Sequence, residues 1–136
     1  MPALRWGLLI GLGVAALARL RRFDRDRSFY PTVLIVIATY LVLFAVLSGD
    51  GTAVLTQSAV AAGFIAVALV GHRAGIALVA AGIAAHGVYD FAYATLGLDH
   101  GAPPWWPAFC GAVDIVLAAA AMVGLKRKTA PASPAS

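Results

Sequence analysis

Residues 84–115 read AAHGVYDFAYATLGLDHGAPPWWPAFCGAVDI, and this stretch decides how the rest of the chain is understood. It holds the end of one apolar segment, a connector rich in proline and tryptophan, and the start of a second apolar segment. His86 and Asp90 lie inside the first segment and Asp114 inside the second. Ionisable groups within apolar runs are costly, so these two segments are expected to form a hairpin that buries them together.

Working outward, the 136-residue chain is 62% hydrophobic and 12% charged, whereas soluble domains carry about a quarter charged residues. Its apolar residues fall into long runs broken by short polar punctuation, the pattern of membrane-spanning helices. At this length there is one domain and no room for a soluble module. The net charge of +4 arises from bases at segment ends, which read as topology signals and lipid-headgroup contacts. Nucleic acid is not an expected partner, because no basic groove interleaved with aromatics is present. There is also no glycine-rich phosphate loop and no zinc-type cysteine pair. Cys110 is the single cysteine, which excludes an internal disulfide.

The expected fold class is all-α, an integral membrane helical bundle with five transmembrane helices. They are placed at about 6–20, 31–47, 52–70, 76–98 and 107–125, within one bundle over 1–128 followed by a disordered tail, 129–136. The first helix is the shortest. Its 13-residue core, 6–18, rises about 20 Å against a hydrocarbon thickness of about 30 Å. Snorkelling by Arg5 and Arg19, with Trp6 at headgroup level, extends it; if this segment only lies on the membrane surface, four spanning helices remain. Ala16–Leu17–Ala18 resembles a signal-peptide cleavage site, but the arginines that follow argue against export. Gly7, Gly11 and Ala15 make a ladder of small residues on which another helix can pack, and offer one seam for a homo-oligomer. Ser28 is expected to cap the second helix, with Pro31 in its first turn. Residues 48–51 read as a turn and 71–75 as a tight basic loop.

Residues 19–27, RLRRFDRDR, contain five arginines and two aspartates. Under the positive-inside rule they mark a cytoplasmic loop, with a specific anionic-lipid or partner site as the minor alternative. Placing them with Arg73 and residues 126–128 puts nine of the ten basic side chains on one side. The expectation is therefore a multi-pass protein of the bacterial inner membrane, N-terminus outside and C-terminus cytoplasmic, with the lipid bilayer as its first partner.

His86 and Asp90 are four residues apart and share a helix face. Counted from the connector, Asp90 and Asp114 lie at similar depths, about 12 and 10 Å, on consecutive antiparallel helices. The candidate catalytic set is His86, Asp90 and Asp114. Tyr40, Gln57, Ser58, Tyr89, Tyr93 and Cys110 are candidate ligand-binding or supporting residues. Trp105 and Trp106 join them because a stiff aromatic connector above buried acids can gate access, although paired tryptophans also serve as interfacial anchors.

Two carboxylates close together away from water do not both ionise: one keeps a proton, or His86 takes it. Four functions follow from that chemistry. The leading one is a site for a small apolar or lipid-like ligand with acid–base catalysis by Asp90 or Asp114, tuned by His86. The second is a proton-coupled or permeation subunit of an oligomer, and the third a structural or partner-binding subunit whose triad locks two helices. The fourth is a metal site of one imidazole and two carboxylates, short of nitrogen ligands because His100 lies off in the connector. No cofactor is required by the sequence.

Three blocks carry a resemblance: RFDRDRSFYPTVLIVIA at 22–38, HGVYDF at 86–91, and PWWPAFCGAVD at 104–114. In them the chain resembles a family of small, uncharacterised bacterial polytopic membrane proteins with the pattern RFDRDRxFYPT, HGxxDF and PxWWPxFCxxxD. The resemblance implies an inner-membrane bundle with His86, Asp90, Trp105, Trp106, Pro107, Cys110 and Asp114 as motif residues. It implies no particular activity.

Overall fold

The computed structural model describes residues 1–98 and 101–129 of the chain; Asp99, His100 and the expected tail beyond Thr129 lie outside the described residues. Among the described residues there are five α-helices and no strand: α1 (Pro2–Leu20), α2 (Phe29–Ser48), α3 (Gly51–Ala74), α4 (Ile76–Thr95) and α5 (Trp106–Thr129). They run from 19 to 24 residues, which at 1.5 Å per residue gives about 28–36 Å. All five are long and apolar enough to cross a membrane. The chain is an all-α, multi-pass membrane bundle.

Several boundaries fall elsewhere than the sequence reading placed them. α1 begins at Pro2, where a missing N–H costs nothing in a first turn, and so gains four residues. Ser28 precedes α2 but does not cap it. Its hydroxyl donates to Asp26 Oδ1 at 2.7 Å and its N–H donates to the same oxygen at 2.9 Å, so the pair closes a turn ahead of the helix. These bonds hold the exposed Asp26 carboxyl below its ordinary range. Asp50 is the cap that works: its carboxylate accepts from the N–H groups of Thr52 (2.8 Å) and Ala53 (3.2 Å) at the start of α3. The expected loop at 71–75 is a single residue. α3 continues through Ala74, with His72 and Arg73 favourably placed in its last turn, and only Gly75 (φ 140°) leaves the helix. α4 stops at Thr95, earlier than expected, because Gly97 takes a left-handed conformation and the Leu98 N–H returns to the Tyr93 carbonyl at 3.0 Å. α5 runs past Lys126, Arg127 and Lys128, since cations suit the carbonyl-rich end of a helix.

The helices pack in an order set by their small residues. α5 lies between α1 and α4, and α2 and α3 complete the bundle on the far side of α4. A methyl on Gly111 would sit 2.8 Å from Phe91 Cε2 and 2.9 Å from the Gly87 carbonyl oxygen, so α4 and α5 are in backbone-close contact. The ladder on α1 is used in the same way. A methyl on Gly7 would strike the Phe109 carbonyl oxygen, and one on Gly11 would meet Val116 Cβ at 3.1 Å. The Gly7–Gly11–Ala15 seam therefore docks α1 on α5 of its own chain and is not free for a second copy. Trp6, Leu8, Leu9, Leu12 and Leu17 on α1 are exposed, as a lipid-facing surface requires.

The bundle divides lengthwise. One half ends at the arginines of 19–27 and the last turn of α5 and holds the apolar core, which includes Leu34, Ile83, Leu117 and Ala118. The other half ends at residues 96–98 and 101–105 and holds the buried polar groups.

Candidate functional site

A close contact between α4 and α5 brings His86 and Asp114 together. Gly87 lies one residue from His86, and a methyl there would approach Asp114 Cβ to 3.0 Å. That lack of a side chain brings Asp114 of α5 beside His86 of α4. His86 Nδ1 and Asp114 Oδ2 are hydrogen-bonded at 2.8 Å, and Asp90 Oδ2 lies 3.7 Å from the same nitrogen. The three side chains are fully sheltered: His86 is 1% exposed, Asp90 4% and Asp114 0%. One donor atom from each lies within 4.8 Å of the others. The sequence expectation that these residues converge is met by this geometry.

Their hydrogen bonding is incomplete within the protein. His86 Nε2, Asp90 Oδ2 and Asp114 Oδ1 have no hydrogen-bond partner among the described residues. An orphaned buried polar atom costs about 1–3 kcal/mol, so three in one cluster are a large departure from ordinary packing. The roles of the two carboxylates differ. With Nδ1–H donated to Asp114, Nε2 is left as the acceptor nitrogen of the ring. Phe64 of α3 packs edge-on against the ring at 4.9 Å and holds it in place.

A cavity of about 10 Å³ adjoins the cluster, bounded by His86, Asp90, Tyr93, Tyr40, Trp106 and Cys110, with Ile37, Leu41, Phe44, Ala102 and Pro107 completing its wall. That is room for one water molecule. His86 and Asp90 face this space, whereas Asp114 is not among its walls. Asp114 is joined to this space through its hydrogen bond to His86.

The remaining candidates divide. Tyr40 and Trp106 stack edge to face at 5.3 Å, and Phe44 meets Trp106 at 5.1 Å, so these three rings close the cavity beneath the connector. Tyr93 and Cys110 are buried in its wall. Gln57 is buried but accepts a hydrogen bond from the Tyr89 hydroxyl at 3.0 Å, which makes a separate polar bridge between α3 and α4. Tyr89 stands one ring away from the cluster, stacked on Tyr93 at 5.6 Å and edge-on to Phe64 at 6.3 Å. Ser58 is half-buried and lines no part of the cavity. Trp105 is 52% exposed and packs on Trp106 and Phe109 as an interfacial ring does. Sequence reasoning missed Phe64 and Phe44. Their facing is set by helix rotation, and no polarity marks them in an apolar run.

Comparison with protein-family models, with curated proteins and with solved structures finds no match to this chain.

Proposed function

We propose that this chain is a multi-pass protein of the bacterial cytoplasmic membrane, N-terminus outside and C-terminus inside, whose His86, Asp90 and Asp114 form an intramembrane acid–base site that takes up and releases protons. The observation that carries this reading is the buried imidazole with two carboxylates gathered at one ring nitrogen and three orphaned polar atoms. With both carboxylates ionised and His86 neutral, the cluster would hold two negative charges in a low-dielectric interior. Two protons bring it to neutrality, as an imidazolium, one carboxylate and one carboxylic acid. The one-water cavity gives the proton a carrier to and from the connector side. A lipid-like ligand has no room beside the acids while Trp106 packs on Tyr40 and Phe44, which ranks that reading below proton exchange.

A divalent cation is the second reading, favoured by the three donor atoms lying within 4.8 Å of one another. Two carboxylates would neutralise it, and His86 would supply a nitrogen ligand. Infrared titration of the protein in lipid separates the two. Proton exchange predicts a carboxylic-acid band that changes with pH and is lost in Asp90→Asn. A pH-insensitive spectrum overturns it. Stoichiometric metal in the purified protein, lost in His86→Gln, would establish the second reading instead.

A further inference from the structure

A second, roomier cavity lies at the opposite, basic end of the bundle and has no part in the acid–base site. It measures about 420 Å³, within the range of small-molecule sites, and is bounded by the α1–α2 segment, the α3–α4 junction and the last turns of α5. Arg19, Arg25 and Arg27 enter its wall from one segment, and Arg127 and Lys128 from the other end of the chain. Tyr30, Val79 and Ala121, all buried, lie at its floor.

The two carboxylates in the wall are already engaged. Asp24 Oδ2 pairs with Arg19 Nε at 3.9 Å, and Asp26 is held by Ser28. Among the described residues no carboxylate lies within 4.0 Å of Arg25, Arg27, Arg127 or Lys128. Topology alone asks that bases lie on this side of the membrane; it does not ask that they converge on one space. Arg21 and Arg22 show the difference, since they belong to the same cluster and stay outside the cavity. Four cations converging on one volume over an apolar floor form a cradle for a compact anion with several oxygens, which guanidinium forks grip in pairs.

We propose that this cavity is a binding site for a phosphate-bearing anion, either the headgroup of an anionic lipid or a soluble phosphate compound. Basic pockets between membrane helices suit such groups. The site differs from the diffuse attraction of a basic surface because it depends on which arginines are present and not on how many.

The test uses the full chain, delipidated in a neutral detergent, with binding read by native mass spectrometry and by thermal stabilisation. Two probes are offered separately: phosphatidylglycerol, with phosphatidylcholine as its control, and inorganic pyrophosphate. Saturable binding of one phosphatidylglycerol assigns the site to lipid, and saturable binding of pyrophosphate assigns it to a soluble anion. Arg25→Gln with Arg127→Gln should weaken the bound probe about tenfold or more, while Arg21→Gln with Arg22→Gln, an equal charge loss outside the cavity, should change it less than about twofold. All four side chains are exposed, so both double variants should fold, and their unliganded melting checks this. Equal losses in the two double variants would overturn the proposal, as would failure of the wild-type chain to bind either probe.

Discussion

At the scale of single residues, the cluster turns on which atom keeps a partner. Asp114→Asn retains an acceptor for His86 Nδ1–H and should cost no more than about 1 kcal/mol of stability. Asp114→Leu leaves that N–H buried and unpaired and should cost about 1–3 kcal/mol, read by reversible unfolding in mixed micelles. Equal costs would mean that the 2.8 Å contact contributes nothing. Asp26 provides a pH test outside the membrane. Its carboxyl is held below the ordinary range by Ser28, so the stabilisation is fully present above the unfolded pKa of about 3.9 and disappears as pH falls through the lower folded value. Asp26→Ala should therefore lower the melting temperature at neutral pH and converge with the wild type in strong acid.

Among elements, the α4–α5 hairpin depends on glycines that have no room to grow. Gly111→Ala places a methyl 2.8 Å from the Phe91 ring and should cost about 1–3 kcal/mol through overpacking. It should also disturb the infrared signature of the cluster, because Asp114 rides on the same helix face one turn on. Gly13 of α1 provides the contrast. Nothing lies within 4 Å of a methyl there, so Gly13→Ala should stabilise by about 0.5–1 kcal/mol through helix propensity alone. A matched loss at both positions would remove the close-approach argument. The same geometry explains why α1 belongs to the bundle despite its modest length. Its small-residue face is spent on α5, and its large apolar side chains are left for lipid.

Across the whole molecule, the small cavity beside the cluster is walled on the connector side by Ala102, Trp106 and Pro107. Leu34, Ile83, Leu117 and Ala118 belong to the apolar core of the basic half, so among the described residues apolar side chains fill the bundle beyond the cluster. The proposed proton exchange would thus be confined to the connector side, which fits a protonation-coupled binding or catalytic role better than permeation. The proposed orientation is testable in a Cys110→Ala background. Thr52→Cys and Thr95→Cys, at the connector end, should react with a membrane-impermeant thiol reagent added to spheroplasts. Ser28→Cys and Arg73→Cys, at the basic end, should react only after lysis. The reverse pattern would invert the topology and place the acid–base site toward the cytoplasm.

The sequence by itself determined the helices and the membrane, because apolar run length and the placement of arginines are local properties that the bilayer enforces on any chain. It also determined that His86, Asp90 and Asp114 share one hairpin, since helical spacing and matched depth follow from counting. Tertiary structure alone decided which carboxylate faces the cavity, that Gln57 serves Tyr89 and not the cluster, and that Ser58 stands apart. Those outcomes depend on the rotation of each helix about its axis, which is set by where glycines let backbones touch. It decided, too, that the α1 seam is consumed within the chain and that Arg25 and Arg127, 102 positions apart, line one space. Composition places charges on a side of the membrane; only packing brings them around a volume.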